Sequence, residues 1–356
     1  MVGRSIRGIL FRRKSLRISG TAFLSRPPRF GGFSFVPTPR VKLAKMTISR
    51  NHWPYLALAI GIIGLGFSGI FVRWANAPGP VAGFYRMATA TIVLAYPFWR
   101  RVQGKSLNRR GIGLAIFAGL LFAGDMAMWA TGVTLSGATI PTLLGNTASV
   151  WVGLGALIFF RERLRGSFWF GLGLALVGAM IILRLNPFDA IHLDLGAALG
   201  LAAGVFYAGY FLVTQKGRQR LDVLSYFWIA AFSSSVALLV IVLISGQSLT
   251  GYPSQTYLSF LGLGLVSQVA GWLTINYAQG HLPATIVSPT MLGQPVVTAI
   301  LAAVLLGESL TFSQFVGGIA VLAGVYLAHR SRNGMENDAA ERGLPRGTGR
   351  GQGERI

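Results

Sequence analysis

Asp125 and Arg86 are opposite charges in sequence where charge is scarce. Asp125 stands in the apolar run 111–131 and Arg86 in the run 79–98. Arg86 lies about seven residues after the start of its run and Asp125 about seven before the finish of its own. Both are near the outer end if the runs are antiparallel, so a helical rise of ~1.5 Å per residue puts both ~10 Å deep. An isolated charge in such a setting is expensive. The structural reading is therefore an ion pair joining the two runs. The functional reading makes Asp125 a site for a proton or a cationic solute, and the two coexist if a solute competes for the carboxylate. Trp129 follows Asp125 by one helical turn, a spacing that presents ring and charge to one ligand. Phe67, Tyr85, Trp151, Tyr207 and Trp272 are further aromatic candidates for a cavity wall. Aromatics near helix ends also serve as interfacial anchors, a role that Trp53, Trp74 and Trp99 fit.

Uncharged polar groups come next. Asn146 follows Gly145 and Gln294 follows Gly293, each pair just beyond a helix proline, Pro141 or Pro289. A proline frees a backbone carbonyl and bends a helix. A glycine beside an amide lets a solute approach the backbone. Gln268 falls near the middle of its run, with Asn276 closer to the end. The plainer reading of all four is interhelical hydrogen bonding, worth about 0.6 kcal/mol each in a membrane. Glu162 and Glu308 fall in turns at helix ends and read as structural charges.

The segments that position these residues are apolar and long. Hydrophobic residues make up 53% of the chain and charged residues only 12%, about half the charge of a soluble domain. Ten runs read as spans: 54–74, 79–98, 111–131, 137–160, 167–184, 195–214, 223–245, 256–278, 283–306 and 312–329. The alternation of a transmembrane β-barrel is absent. The fold class is thus an all-α polytopic membrane protein. There is no cysteine, hence no disulfide, thiol nucleophile or thiolate metal site. The four histidines fall near segment ends, and no cofactor or metal site is indicated. Gly66-Phe67-Ser68-Gly69 resembles a serine-protease signature, but no histidine or lysine lies within a span to act as base. Helix packing through Gly61, Gly64, Gly66 and Gly69 explains it better. No phosphate-binding loop is present, so ATP is not the direct energy source. The net charge of +22 does not indicate nucleic acid, because the basic residues lie in a terminal arm and in short loops.

Those loops set an orientation. Arg100, Arg101, Lys105, Arg109 and Arg110 follow the second run. Arg161, Arg163 and Arg165 follow the fourth. Lys216, Arg218 and Arg220 follow the sixth, and Arg330 and Arg332 the last. The alternate loops carry only Arg73 and Arg184. The positive-inside rule then makes both termini cytoplasmic.

The chain also repeats itself. ATGVTLSGATIPTLLG at 130–145 aligns without a gap to AQGHLPATIVSPTMLG at 278–293, matching Pro141, Thr142, Leu144 and Gly145 with Pro289, Thr290, Leu292 and Gly293. Further on, Glu162, Gly171 and Gly178 match Glu308, Gly317 and Gly324. Five spans per half invert the second copy, so the expected architecture is a 5+5 inverted repeat with the substrate between the halves.

With its proline-containing fourth helix in each half and its turns RERLRGSFWFGLGLALVG and GESLTFSQFVGGIAVLAG, the chain resembles the drug/metabolite transporter superfamily. The likeness is to its two-domain EamA-type members and covers roughly residues 54–329. FYRM around Arg86 adds to it. The resemblance implies a carrier of small organic solutes, commonly an exporter.

The expected organisation is a basic disordered extension (1–50), a first five-helix half (51–184), a second (195–330) and a disordered tail (331–356). The extension is Arg-rich and free of acid. It reads as a transit peptide, a lipid-touching tail or untranslated sequence upstream of Met46. The expected function is secondary-active transport in the cell membrane, with a small-molecule substrate, protons as coupling ion and a homodimer compatible with it. The alternative is a facilitator or lipid-handling protein without ion coupling. The candidate site is Asp125, Arg86, Trp129, Asn146, Gln268, Gln294, Tyr85 and Tyr207.

Overall fold

The structure, a computed structural model, describes residues 52–136, 139–183 and 194–341. The expectations for 1–50, for the loop carrying Arg184 and for the end of the C-terminal tail lie outside the described residues. All regular structure among the described residues is helical. In chain order the rods are α1 (Trp53–Ala75), α2 (Gly79–Val102), α3 (Arg109–Ser136), α4 (Thr139–Asn146 continuing as Ala148–Phe159) and α5 (Gly166–Ile182). The second set is α6 (Leu195–Gly217), α7 (Val223–Ile244), α8 (Ser254–Gln279), α9 (Ala284–Met291 continuing as Gln294–Leu306) and α10 (Phe312–Glu341).

Eight of these are long and apolar enough to cross a membrane. The other two are α5, apolar but 17 residues long, and α2, which carries Arg86, Arg100 and Arg101. Their outer faces are apolar: Ile92, Phe159, Ile244 and Phe315 are all exposed, a surface suited to hydrocarbon rather than water. The last helix runs on to Glu341, past the expected span end at 329.

Local chemistry starts and stops the rods. The Asp194 carboxylate accepts from the Ala197 N–H at the head of α6. Asp222 accepts from the Ser225 N–H and hydroxyl at the head of α7. Both are side-chain N-caps. Gly307 ends α9 at φ 68°, a left-handed turn that glycine adopts without strain.

The two halves pack as an inverted pair. α3 lies along α6, and α8 lies along α1; α2 meets α7, and α5 meets α10. Exchanging each rod with the one five places on leaves this pattern unchanged. The α5–α10 seam shows the direction of the symmetry. An added Cβ on Gly171 would fall 2.6 Å from the Gly324 carbonyl oxygen, and one on Gly178 would fall 2.6 Å from that of Gly317. The reverse contacts are 2.5 Å and 2.8 Å. Gly171 and Gly178 are the repeat equivalents of Gly317 and Gly324. Each glycine therefore meets the equivalent of its partner, not of itself, as antiparallel helices across a two-fold axis must. Backbones this close tolerate only glycine.

The rods are interrupted where the site lies. α4 breaks at Thr147 and α9 at Leu292–Gly293, in both cases shortly after the helix proline. α8 contains a π-helical stretch, Leu263–Trp272, which the sequence pattern did not reveal.

Candidate functional site

A cavity of about 940 Å³ lies among α1, α2, α3, α4 and α9. Its rim includes Arg73 in the last turn of α1, and Ala77, Glu308 and Ser309 in the turns after α1 and α9. No residue of the turns at the other end (103–108, 160–165, 218–222, 280–283) lines it. The cavity therefore opens at one end of the bundle only. Arg73 and Glu308 form an ion pair across its rim, tying α1 to the α9–α10 turn.

Of the eight residues singled out from the sequence, six line this cavity: Arg86, Asp125, Trp129, Asn146, Tyr207 and Gln294. Arg86 and Asp125 face the same space, but they are not joined directly. Ion pairs form elsewhere, at Arg73–Glu308 and Arg101–Asp222. The Arg86 Nε instead donates to Gln268 Oε1 at 2.7 Å. The expected pairing of the two charges is corrected accordingly. A buried amide from α8 holds the guanidinium, and the carboxylate stays open to the cavity. Removing one charge would still be felt by the other, since the two attract across the space.

Gln268 does not line the main cavity. It is 2% exposed and acts from behind the cavity wall. Tyr85 does not line it either. Its hydroxyl donates to the Leu249 carbonyl at 2.7 Å, and its ring stacks on Phe260 at 4.7 Å. It belongs to an apolar cluster with Phe260 and Leu263, away from the charges. The sequence could place Tyr85 beside Arg86 but not choose its face.

Trp129 is fixed by α4: its Nε1 donates to Thr142 Oγ1 at 3.0 Å. Tyr207 joins an aromatic floor with Phe122 and Trp272, at ring distances of 6.3 Å and 5.9 Å. Asn146 presents a buried Nδ2 with no partner, while Gln294 Nε2 donates to the Leu65 carbonyl at 3.3 Å. The two amides sit at the breaks in α4 and α9, as the repeat implied. Ser68 also lines the cavity, with an unpartnered Oγ. Gly61, Gly64, Gly66 and Gly69 pack against α8 and α9.

The opposite end is sealed by bonds between the halves and by bonds within the second half. Between the halves, the Ser149 and Ser288 hydroxyls lie 2.9 Å apart, and Thr285 Oγ1 donates to Glu162 at 2.9 Å. Within the second half, the Ala284 N–H donates to Gln215 Oε1 at 2.7 Å. Thr290 Oγ1 lies 2.9 Å from His329 Nε2. Arg218 donates through Nε to the Asn276 carbonyl at 3.0 Å, closing the end of α8. Burial pulls its guanidinium down to about 10, against the attraction of Asp222.

Known proteins resemble this chain along most of its length. The model of the EamA-like transporter family matches residues 52–184 and again 194–330. An uncharacterized transporter of Archaeoglobus fulgidus is 25% identical over 77% of this chain and 95% of its own. A probable amino-acid metabolite efflux pump of Escherichia coli is 29% identical over 79% of this chain and 95% of its own. The corresponding Salmonella typhimurium protein is 32% identical over 49% and 62%. A solved crystal structure superposes with a TM-score of 0.65 at 16% identity, covering 79% of this chain and 98% of its own, a likeness of fold. The two-fold match, the inverted helical halves and the one-sided cavity agree: the chain belongs to the EamA-like transporter family of the drug/metabolite transporter superfamily and is an integral membrane transporter.

Proposed function

We propose that this protein is a secondary-active exporter of small organic metabolites, working by alternating access of its two inverted halves. The observation that carries the reading is the cavity, open at one end and sealed at the other by bonds between the halves. Arg86 and Asp125 present opposite charges inside it without pairing directly. A solute bearing a carboxylate and an ammonium group would satisfy both, with Trp129 and Tyr207 beside it. That chemistry fits the amino-acid metabolites in the names of the two bacterial relatives. Asp125 is also the group on which a coupling proton would ride.

The basic turns border the sealed end, so the positive-inside rule makes the open mouth outward-facing and both termini cytoplasmic. The ten rods then all cross the membrane. Cysteines at Ser136 or Ser248 should react with an impermeant reagent from outside, and one at Gln103 should not. Transport itself is tested in proteoliposomes loaded with a panel of radiolabelled amino acids. Efflux driven by an opposing proton gradient is expected for at least one of them. Efflux that ignores the gradient would favour a facilitator, and none across amino acids, nucleosides, sugars and amines would remove the reading.

A further inference from the structure

From behind the cavity wall to the sealed end α8 carries polar groups in a line. Gln268, Trp272, Asn276 and Gln279 follow one another at spacings of four, four and three residues, one face of a helix. The π stretch ends at Trp272. Its wider turns advance fewer degrees per residue, which brings Gln268 over Asn276 instead of rotating it away. All four are almost fully buried: Gln268 and Trp272 are 2% exposed, Asn276 and Gln279 0%.

The upper end of the line holds Arg86 through Gln268. A void of about 10 Å³ between Gln268 and Tyr210 links it to the next level, room for about one water. There Asn276 Nδ2 donates to the Tyr210 hydroxyl at 2.9 Å. The lower end reaches Gly280, against which Arg218 rests.

The line is poorly satisfied. Trp272 Nε1, Asn276 Oδ1 and both amide atoms of Gln279 are buried without a hydrogen-bond partner. Each such atom costs ~1–3 kcal/mol relative to a bonded one. Packing alone would favour apolar side chains here, as at the neighbouring Ile275, which is equally buried against α1. Polar groups concentrated on one stripe of one helix fit a surface that is wetted in another state.

We infer that the Gln268–Trp272–Asn276–Gln279 stripe is the sealed half of the translocation route, and that Asn276 and Gln279 form a second polar subsite for the solute's charged or hydrogen-bonding groups. This rests on the alternating-access reading above. When the inter-half bonds at Ser149–Ser288 and Glu162–Thr285 part, water and solute reach these unpaired atoms. Their desolvation in the sealed state also limits how strongly that state is favoured.

The cysteine-free chain makes the test direct. Full-length single-cysteine variants in sealed vesicles are exposed to an impermeant maleimide from the side of the 280–283 turn. Asn276→Cys and Gln279→Cys should react at least tenfold faster than Ile275→Cys. Oxidising a Ser149→Cys/Ser288→Cys pair to a disulfide should return both to the Ile275→Cys rate. Equal rates at all three positions, or stripe labelling that ignores the disulfide, would overturn the inference. Alternation is read separately with Asn146→Cys from the mouth side. It should label faster once the disulfide holds the mouth open, and no change there would count against alternation itself. As a second readout, Gln279→Leu should melt no lower than the parent yet transport at least fivefold more slowly. Unchanged transport would show the amide to be dispensable.

Discussion

The segments 139–145 and 287–293 are copies of one motif, with Pro141 matching Pro289 and Thr142 matching Thr290, yet they stand in opposite conditions. In α4, Asn146 and Thr142 line the open cavity, with the buried Asn146 Nδ2 unpartnered and the Thr142 hydroxyl accepting from Trp129. In α9 every residue from Ala284 to Pro289 is buried. Ser288 is bonded to α4, Thr285 to Glu162 and Thr290 to His329. Part of the difference is local, since Ser288 and Thr285 stand where the first copy has Ile140 and Gly137. The shared Pro-Thr-x-Leu-Gly does not choose which copy is open. The rest of the difference is the position of the halves, inverted so that equivalent surfaces face opposite ends. The α5–α10 seam, by contrast, is symmetric to within a few tenths of an ångström.

The largest expected effect comes from breaking the symmetric seam. Gly324→Val would drive a branched side chain into the backbone of Gly171 and Ala175, an overpacking cost of ~3 kcal/mol. The variant should accumulate poorly and melt well below the parent. Gly173→Val, whose Cβ would meet nothing nearby, should be tolerated. Equal melting of the two would mean that the seam is looser than it looks.

The next effect concerns the charges, which only the first half supplies: extending the repeat alignment upstream puts Leu273 opposite Asp125. Asp125→Asn should lower proton-coupled transport more than ~tenfold, the scale of a lost charged hydrogen bond at ~1.5–3 kcal/mol, with the folded carrier retained. Arg86→Gln should weaken solute binding similarly. The double variant should regain stability but not transport. Full transport by the double variant would take both charges out of the mechanism.

Smaller shifts should come from threonines on the two motifs. Thr285→Val removes its bond to Glu162 between the halves, worth ~1 kcal/mol, enough to move the two-state balance about fivefold towards the opposite opening. Thr142→Val removes a bond inside the open cavity and should change solute affinity without moving the balance. Cysteine labelling from either face, as for Asn146→Cys, distinguishes them, and identical behaviour would erase the contrast between α4 and α9.

The smallest effect lies outside the membrane. Burial opposes ionisation of Asp222, but hydrogen bonds from the Ser225 hydroxyl and N–H, together with Arg101 at 3.6 Å, more than compensate. Its carboxyl is held below the ordinary range. A depressed carboxylate stabilises the fold above its unfolded pKa and loses that contribution as pH falls through the folded value. Asp222→Ala should therefore cost about 1 kcal/mol near neutral pH, the usual worth of an N-cap, and nothing once the parent carboxyl is protonated. Thermal melts across pH would show the two curves converging in acid.

Most of the architecture was legible in the sequence because lipid imposes so strict a rule. Backbone polar groups must be satisfied within the segment, so apolar length alone marks helices. The repeated Pro-Thr-x-Leu-Gly and the paired glycines added the inversion. Of the site, Asp125, Arg86, Trp129, Asn146, Tyr207 and Gln294 could be found because polar groups in apolar runs stand out. Tyr85 went to the wrong surface, since an aromatic beside Arg86 is about 100° away around the helix and the pattern does not say which face turns inward. The direct Arg86–Asp125 pair was expected from depth alone, and depth says nothing of a competing amide on α8.

What the sequence determined by itself was composition, span placement, the duplication and the set of polar residues within the spans. These follow from solvent and chain geometry, which act on each segment separately. Only the tertiary structure decided that Gln268 takes Arg86, that a π stretch in α8 aligns a polar stripe from behind the cavity wall to the sealed end, and that one copy of a repeated motif is open while the other is sealed. Those outcomes depend on how helices distant in sequence are rotated and tilted against one another. Two arrangements of the same halves can lie close in free energy, and nothing within one helix distinguishes them.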